Sequence, residues 1–287
     1  MRNSIELNKD LLTTTFLLAG ERAISRMGFG SMQLTGPGVW GDAPDREMAK
    51  LVLQSAVESG ANFIDTADSY GPHTCEKLIH EALEPYYGKI LIATKGGFER
   101  PGPGEWISNG KPEHISQAIE DSLKRLQVPQ IELWQLHRVD PKVPVEETLS
   151  PVVDAVAAGK IKYVGLSEVG IKEIERARKV LRIVSVQNLY NLGNRKWEEV
   201  LDYTAKEDIA FIPWYPLASG PEKLQNNIGR LAAKYNATVA QIALAWLLKR
   251  SPNILLIPGT KSLRHLQENL ESVQVNLSEE DFHSLSN

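Results

Sequence analysis

Residues 45–66, DREMAKLVLQSAVESGANFIDT, carry a helix and then a strand, and residues 75–95, CEKLIHEALEPYYGKILIATK, repeat the pair. In the first stretch Met48, Leu51, Val52 and Ala56 recur at helical spacing ahead of the apolar run Asn62–Ile64; in the second, Leu78, Ile79, Ala82 and Leu83 precede Ile90–Ala93. Both runs are short, apolar on each face and bounded by turn residues. That is the pattern of strands buried in a parallel sheet.

The alternation continues outward. Helical stripes fall at Ile115, Ala118, Ile119, Leu123 and Leu126, at Ile171, Ile174 and Leu181, at Trp197, Val200, Leu201 and Thr204, and at Val239, Ile242, Ala243, Trp246 and Leu247. Strand-sized runs stand between them at Glu132–Leu136, Tyr163–Leu166, Val184–Val186, Ile209–Pro213 and Ile254–Ile257. With Met27–Gly30 as the first strand, the units number eight. They predict a (β/α)8 TIM barrel, an α/β fold, as one domain over residues 1–287, for which the length suffices. An open doubly wound sheet is disfavoured by the lack of a Gly-x-Gly-x-x-Gly turn between strand and helix.

Residues outside the repeat read as accessories. Leu11–Ala19, interrupted by Thr13, Thr14 and Thr15, is expected to be an N-terminal β-hairpin arm rather than a signal peptide. Gly96–Pro112, with PGPG at 101–104, is longer than an ordinary βα loop and is a candidate lid at the C-terminal mouth; Pro216–Asn227 is a second. Ser278-Glu-Glu-Asp281 resembles a capping box opening a last helix.

Composition narrows the function classes. A hydrophobic share of 42% and a charged share of 24% suit a soluble chain with a sizeable core. The net charge of −4 contains no long run of one sign, which argues against nucleic-acid and anionic-membrane partners. Cys75 is the single cysteine, so no intrachain disulfide forms; a reducing, cytoplasmic setting is expected, with Cys75 as inert packing. No apolar stretch approaches the roughly 20 residues of a membrane span.

Reactive groups of such a barrel gather at the C-terminal ends of its strands. Asp65, Lys95, His137, Ser167, Gln187 and Trp214 stand at six successive strand ends. Singly, each has an ordinary structural explanation: a helix cap, a surface charge, a satisfied histidine, a rim aromatic. Six strands delivering polar or aromatic groups to one rim point to a site.

At these residues the chain resembles the aldo-keto reductase family. Phe63-Ile-Asp65-Thr-Ala-Asp-Ser-Tyr70-Gly71 is similar to the family's Asp and Tyr signature, Ile92-Ala-Thr-Lys95 to its lysine strand and Leu133-Trp-Gln-Leu-His137 to its histidine strand. The resemblance continues through residues 159–167, Val186-Gln187-Asn188, Pro213-Trp-Tyr-Pro-Leu217, Ile257-Pro-Gly-Thr-Lys261-Ser262 and Glu268-Asn269. GPGVWG at 36–41 and the PGPG loop are closest to bacterial members that include pyridoxal reductases. The resemblance implies an oxidoreductase that uses NADPH, with NADH not excluded, to reduce a small carbonyl substrate such as pyridoxal, and no metal.

It also implies roles. Tyr70 would donate a proton to the alkoxide formed by hydride transfer, Lys95 would lower the phenol's pKa, Asp65 would keep Lys95 charged and His137 would orient the carbonyl. Trp214 would stack on the nicotinamide, with Ser167 and Gln187 on its carboxamide. Met32, Leu217, Ser219, Gly259, Thr260, Lys261, Ser262, His265, Glu268 and Asn269 complete the expected cofactor site, Lys261 meeting a 2′-phosphate at a helix start. His265 stands where many members have arginine, and Glu168 replaces the usual asparagine; a carboxylate accepts but cannot donate, which makes Glu168 a poor carboxamide ligand. Trp40 and Trp106 are expected near the substrate. Two other readings stand beside this one: a metal-dependent hydrolase built on Asp65 and His137, and a nicotinamide-binding sensor or regulatory subunit with little turnover.

Overall fold

The computed structural model describes residues 14–217 and 222–286, apart from the side chains of 222–224. The chain opens with an antiparallel hairpin, β1 (Thr15–Leu18) and β2 (Arg22–Ser25), followed by β3 (Phe29–Gly30), α1 (Arg46–Glu58), β4 (Phe63–Asp65), α2 (Thr74–Leu83) and β5 (Leu91–Gly96). A second hairpin, β6 (Phe98–Glu99) and β7 (Ile107–Ser108), precedes α3 (Pro112–Leu126), β8 (Ile131–Leu136), α4 (Val145–Ala157), β9 (Ile161–Ser167), α5 (Ile171–Arg178), β10 (Ile183–Gln187), α6 (Glu198–Lys206) and β11 (Ala210–Phe211). Four α-helices and a short 3-10 turn end the chain's described part: α7 (Glu222–Lys234), α8 (Val239–Arg250), α9 (Leu263–Glu271), the 3-10 turn and α10 (Glu279–Ser286).

β3, β4, β5, β8, β9, β10 and β11 pair in parallel in that spatial order. The expected eighth strand is reduced to two single pairings, Phe211 with Ile254 and Leu256 with Met27, both parallel. They close the barrel: Leu255 N donates to Phe211 O at 2.9 Å on one side, and Gly28 N to Leu256 O at 2.8 Å on the other. No described helix is long and apolar enough to cross a membrane.

The two-residue period of a strand sorts the barrel's side chains. Phe63, Leu91, Ala93, Leu133, Tyr163, Ala210, Ile212, Leu255 and Ile257 pack together inside, where Leu18 and Ile24 of the first hairpin join them and plug the N-terminal mouth. Their neighbours Ile64, Ile92, Trp134, Val164, Leu166 and Phe211 face outward into the helix layer. The lumen has little spare room: a Cβ added to Gly165 would lie 2.0 Å from Ser185 Oγ and 3.1 Å from Gln135 Cγ. Gly165→Ala is therefore expected to cost about 1–3 kcal/mol by overpacking, read as a lower urea midpoint with unchanged slope; an unshifted midpoint would show that the lumen yields freely.

Two local features need a physical account. α4 carries Pro151 in its interior, where the missing N–H would have met Glu147 O; the Ser150 hydroxyl takes that carbonyl instead at 2.9 Å, and the helix continues. The Gly96–Pro112 loop is not a loose lid. It folds into the β6–β7 hairpin, and Arg100 ties it back to Ser69 O at 2.5 Å, Gly38 O at 3.1 Å and Val39 O at 3.3 Å. Only half of the expected capping box forms: Asp281 N donates to Ser278 Oγ at 3.2 Å, but Ser278 N donates to Tyr235 OH at 2.9 Å rather than to the Asp281 carboxylate.

Candidate active site

Alternation along the strands carries the interior face upward to the C-terminal mouth. Asp65 follows Phe63 by two residues, Lys95 follows Ala93, and Ser167 follows Gly165. His137 lies just beyond β8, its N–H held by Gly96 O at 2.9 Å. These side chains converge: Lys95 Nζ lies 2.7 Å from Asp65 Oδ2, 2.8 Å from Thr66 O and 3.3 Å from Tyr70 OH. Gln187 Nε2 donates to Asp65 Oδ1 at 2.8 Å, so both carboxylate oxygens are engaged. Lys95 is fully buried and Asp65, Tyr70 and His137 nearly so.

The electrostatics follow from that burial. Burial pulls the Lys95 ammonium down, yet Asp65 and Tyr70 together hold it above its ordinary value, so it stays charged. Burial pushes the Tyr70 phenol up; Lys95 pulls the other way without cancelling the rise. The expectation of a lowered phenol pKa is thus corrected, since desolvation of a phenolate outweighs one ammonium that is itself shared with a carboxylate. His137 is held well below the imidazole range by burial, then by Lys95, Arg138 and Arg100, and is neutral at physiological pH. Its Nδ1 meets the Ser69 hydroxyl at 3.2 Å, and its ring packs edge-on against Tyr70 at 5.9 Å.

A cavity of about 790 Å³ opens above this cluster. Asp65, Tyr70, His137, Ser167, Gln187 and Trp214 line it, as do Met32, Leu217, Gly259 and Trp106 of the expected set. Trp40 is not among its lining residues. The Arg100 guanidinium lies over both tryptophans, 5.6 Å from the Trp40 ring and 3.6 Å from Trp106, and Val39 reaches the cavity where Trp40 was expected. Beyond Gly259, Thr260 Oγ1 accepts from Ser262 N, and Ser262 caps α9 by accepting from His265 N. Lys261 is exposed there, Glu268 pairs with Arg264 at 3.6 Å, and Asn269 is buried one turn on. Ser219 lies outside the described residues.

Several groups were missed from sequence. Phe98 reaches the cavity from the second hairpin, beside Trp106, which stands where the sequence places it. Arg138 lines the cavity although it follows His137 directly, because past the strand end the alternation no longer applies. Glu168, at a positive φ of 54°, turns its carboxylate to Leu189 N at 2.5 Å, Trp214 Nε1 at 2.7 Å and Trp197 Nε1 at 3.3 Å. Substitution of the usual asparagine thus supplies an acceptor that fixes the Trp214 indole.

Asp68 is buried with its Oδ1 lacking a hydrogen-bond partner among the described residues, and its carboxyl is pushed up to about 8 by burial and then by Glu76. A carboxyl whose folded pKa exceeds its unfolded value of 3.8 holds a proton the unfolded chain has released, so stability falls as pH rises from about 4 through about 8. Asp68→Asn is expected to remove that fall. Melting temperatures at about pH 5 and about pH 9 check it, and equal alkaline losses in both proteins would reject it.

The Aldo/keto reductase family model matches residues 26–287. The chain belongs to the aldo/keto reductase family. This aldo/keto reductase is 48% identical to an uncharacterized oxidoreductase of Schizosaccharomyces pombe, over 93% of the chain and 87% of the relative. It is 39% identical to pyridoxine 4-dehydrogenase of Escherichia coli, over 93% and 96%. The solved structure of a thermostable aldo-keto reductase in complex with the inhibitor epalrestat superposes with a TM-score of 0.82 at 29% identity, covering 92% of this chain and 95% of the other. The protein is accordingly an oxidoreductase on a (β/α)8 barrel. Among the described residues no group of three or more His, Cys, Asp or Glu is arranged to hold a metal.

Proposed function

We propose that this aldo/keto reductase reduces a small aldehyde or ketone to an alcohol with NADPH, in the cytoplasm and as one domain, with Tyr70 as the proton donor. The observation that carries the reading is the buried contact of Tyr70 OH with Lys95 Nζ at 3.3 Å, beside a neutral His137 at the floor of the cavity. NADPH, when bound, supplies the hydride. Tyr70 keeps its proton because burial holds the phenol above its ordinary value, and releases it to the carbonyl oxygen as negative charge gathers there. Lys95 stabilises the phenolate left behind, Asp65 keeps Lys95 charged, and His137 aims the carbonyl oxygen at Tyr70.

The residues present fit the cofactor. Trp214 offers a half-buried indole, fixed by Glu168, on the cavity wall, with Ser167 and Gln187 beside it. A Cβ on Gly259 would come within 2.5 Å of Gly30 O, so only glycine packs against β3 at this point of the cavity wall. Lys261 stands at the start of that helix, suited to a phosphate together with the free N–H groups. Met32, Leu217, Thr260, Ser262, His265, Glu268 and Asn269 complete the proposed site.

NADPH oxidation against aldehydes, ketones, sugars and pyridoxal tests the reading, pyridoxal being suggested by the relative that oxidises pyridoxine. Tight NADPH binding with no turnover on the panel would replace it with a sensor. Lys261→Ala is expected to raise KM for NADPH about tenfold and KM for NADH little, as one charged phosphate contact is lost. Equal changes for the two cofactors would remove Lys261 from the phosphate site.

A further inference from the structure

Among the described residues, three ionisable side chains other than tyrosine line the cavity: Asp65, His137 and Arg138. Asp65 is spent on Lys95 and Gln187, and His137 is neutral. Arg138 is half-buried and, among the described residues, has no carboxylate within ion-pair distance. Its Nη1 donates to His137 O at 2.6 Å and Ser167 Oγ at 2.9 Å, while Nε and Nη2 meet no acceptor among the described residues. The guanidinium stands between two aromatic faces, 5.7 Å from the Phe98 ring and 5.8 Å from Trp214. Glu168, the nearby acid, is turned away onto Leu189, Trp214 and Trp197.

A half-buried guanidinium that Glu168 offsets only from beyond ion-pair distance is costly, and its planar fork matches a carboxylate or phenolate oxygen. The rest of the wall is largely apolar: Val39, Phe98, Trp106, Val139, Leu217 and Ile257. Arg138 adjoins His137 in the chain and holds its carbonyl, so an anion reaching the guanidinium lies beside whatever His137 orients.

We propose that Arg138 reads an anionic group carried next to the substrate's carbonyl, which makes aromatic or apolar aldehydes with an adjacent carboxylate or phenolate oxygen the preferred substrates. The proposal rests on the carbonyl-reductase reading above. An ionised oxygen ortho to an aryl aldehyde satisfies it, as does a carboxylate one carbon further out.

The test compares 2-carboxybenzaldehyde, 4-carboxybenzaldehyde and benzaldehyde in the wild type, Arg138→Met and Arg138→Lys. The 2-carboxy isomer is expected to exceed the 4-carboxy isomer in kcat/KM by about tenfold, the scale of one charge-assisted contact. In Arg138→Met that ratio should fall to about one whatever loss all three share, and Arg138→Lys should restore part of it. A ratio unmoved by Arg138→Met overturns the proposal, and so does one unmoved while NADPH affinity, read by tryptophan quenching, collapses. Calorimetric binding of 2-carboxybenzyl alcohol needs no turnover. A Kd weakened about tenfold in Arg138→Met supports the anion site, and an unchanged Kd overturns it. A wild type that reduces none of the aldehydes but binds this alcohol through Arg138 fails the reductase reading alone.

Discussion

Tyr70→Phe is expected to cut turnover by about 100-fold or more while leaving the fold and NADPH affinity in place, the effect of deleting a positioned general acid. The structural cost is small because only one oxygen is lost. The phenylalanine ring keeps the edge contacts with His137 at 5.9 Å and Trp106 at 6.5 Å. Lys95 loses a partner at 3.3 Å but retains Asp65 and Thr66 O at 2.7 and 2.8 Å, so no buried charge is orphaned. Single-turnover NADPH oxidation reads the chemical step and tryptophan quenching reads cofactor affinity. Near-wild-type turnover would remove Tyr70 as donor; an equal loss of NADPH affinity would make it a binding residue.

Lys95→Met is expected to remove turnover and also to destabilise the protein by about 3–5 kcal/mol, because it leaves a buried carboxylate without its countercharge. Gln187 Nε2 would remain on Asp65 Oδ1, but an amide does not replace an ammonium in a site this dry. The double variant Lys95→Met with Asp65→Asn separates the two effects: its stability should recover most of the loss and its turnover should not. Urea unfolding and NADPH oxidation measure them. A single variant as stable as the wild type would mean that Asp65 is neutralised or hydrated in some other way.

The sequence disclosed the mouth of the barrel well because one physical rule governs it. Strand periodicity of two carries Phe63 to Asp65 and Leu91 through Ala93 to Lys95, so polar residues at strand ends converge once the strands are parallel. The rule fails where regular structure stops. Arg138 sits one residue past the strand-end histidine and was passed over, and Trp40, placed by its neighbourhood in the chain, lies under Arg100 beside the cavity. Phe98 was hidden because a Gly/Pro-rich run reads as loop whether or not two residues pair across it, whereas Trp106 in the same run was legible. Pro151 inside α4 shows the limit of local rules in the other direction, since only the structure shows the Ser150 hydroxyl taking the carbonyl it leaves. The Tyr70 shift went against expectation because a sequence shows which charges are near but not how much water is lost.

The seam at residues 254–256 bears on how the molecule is made. Arg26 Nε donates to Ile254 O, while its Nη2 donates to Leu248 O and Ser251 O, joining residues more than 220 positions apart. Seven strands can pair with sequential neighbours as they emerge during synthesis, but this closure waits for almost the whole chain. Until then the first and seventh strands both present unpaired backbone edges, open to association with other chains. The period between synthesis of β3 and arrival of Ile254 is therefore the interval in which a nascent chain depends most on protection from aggregation.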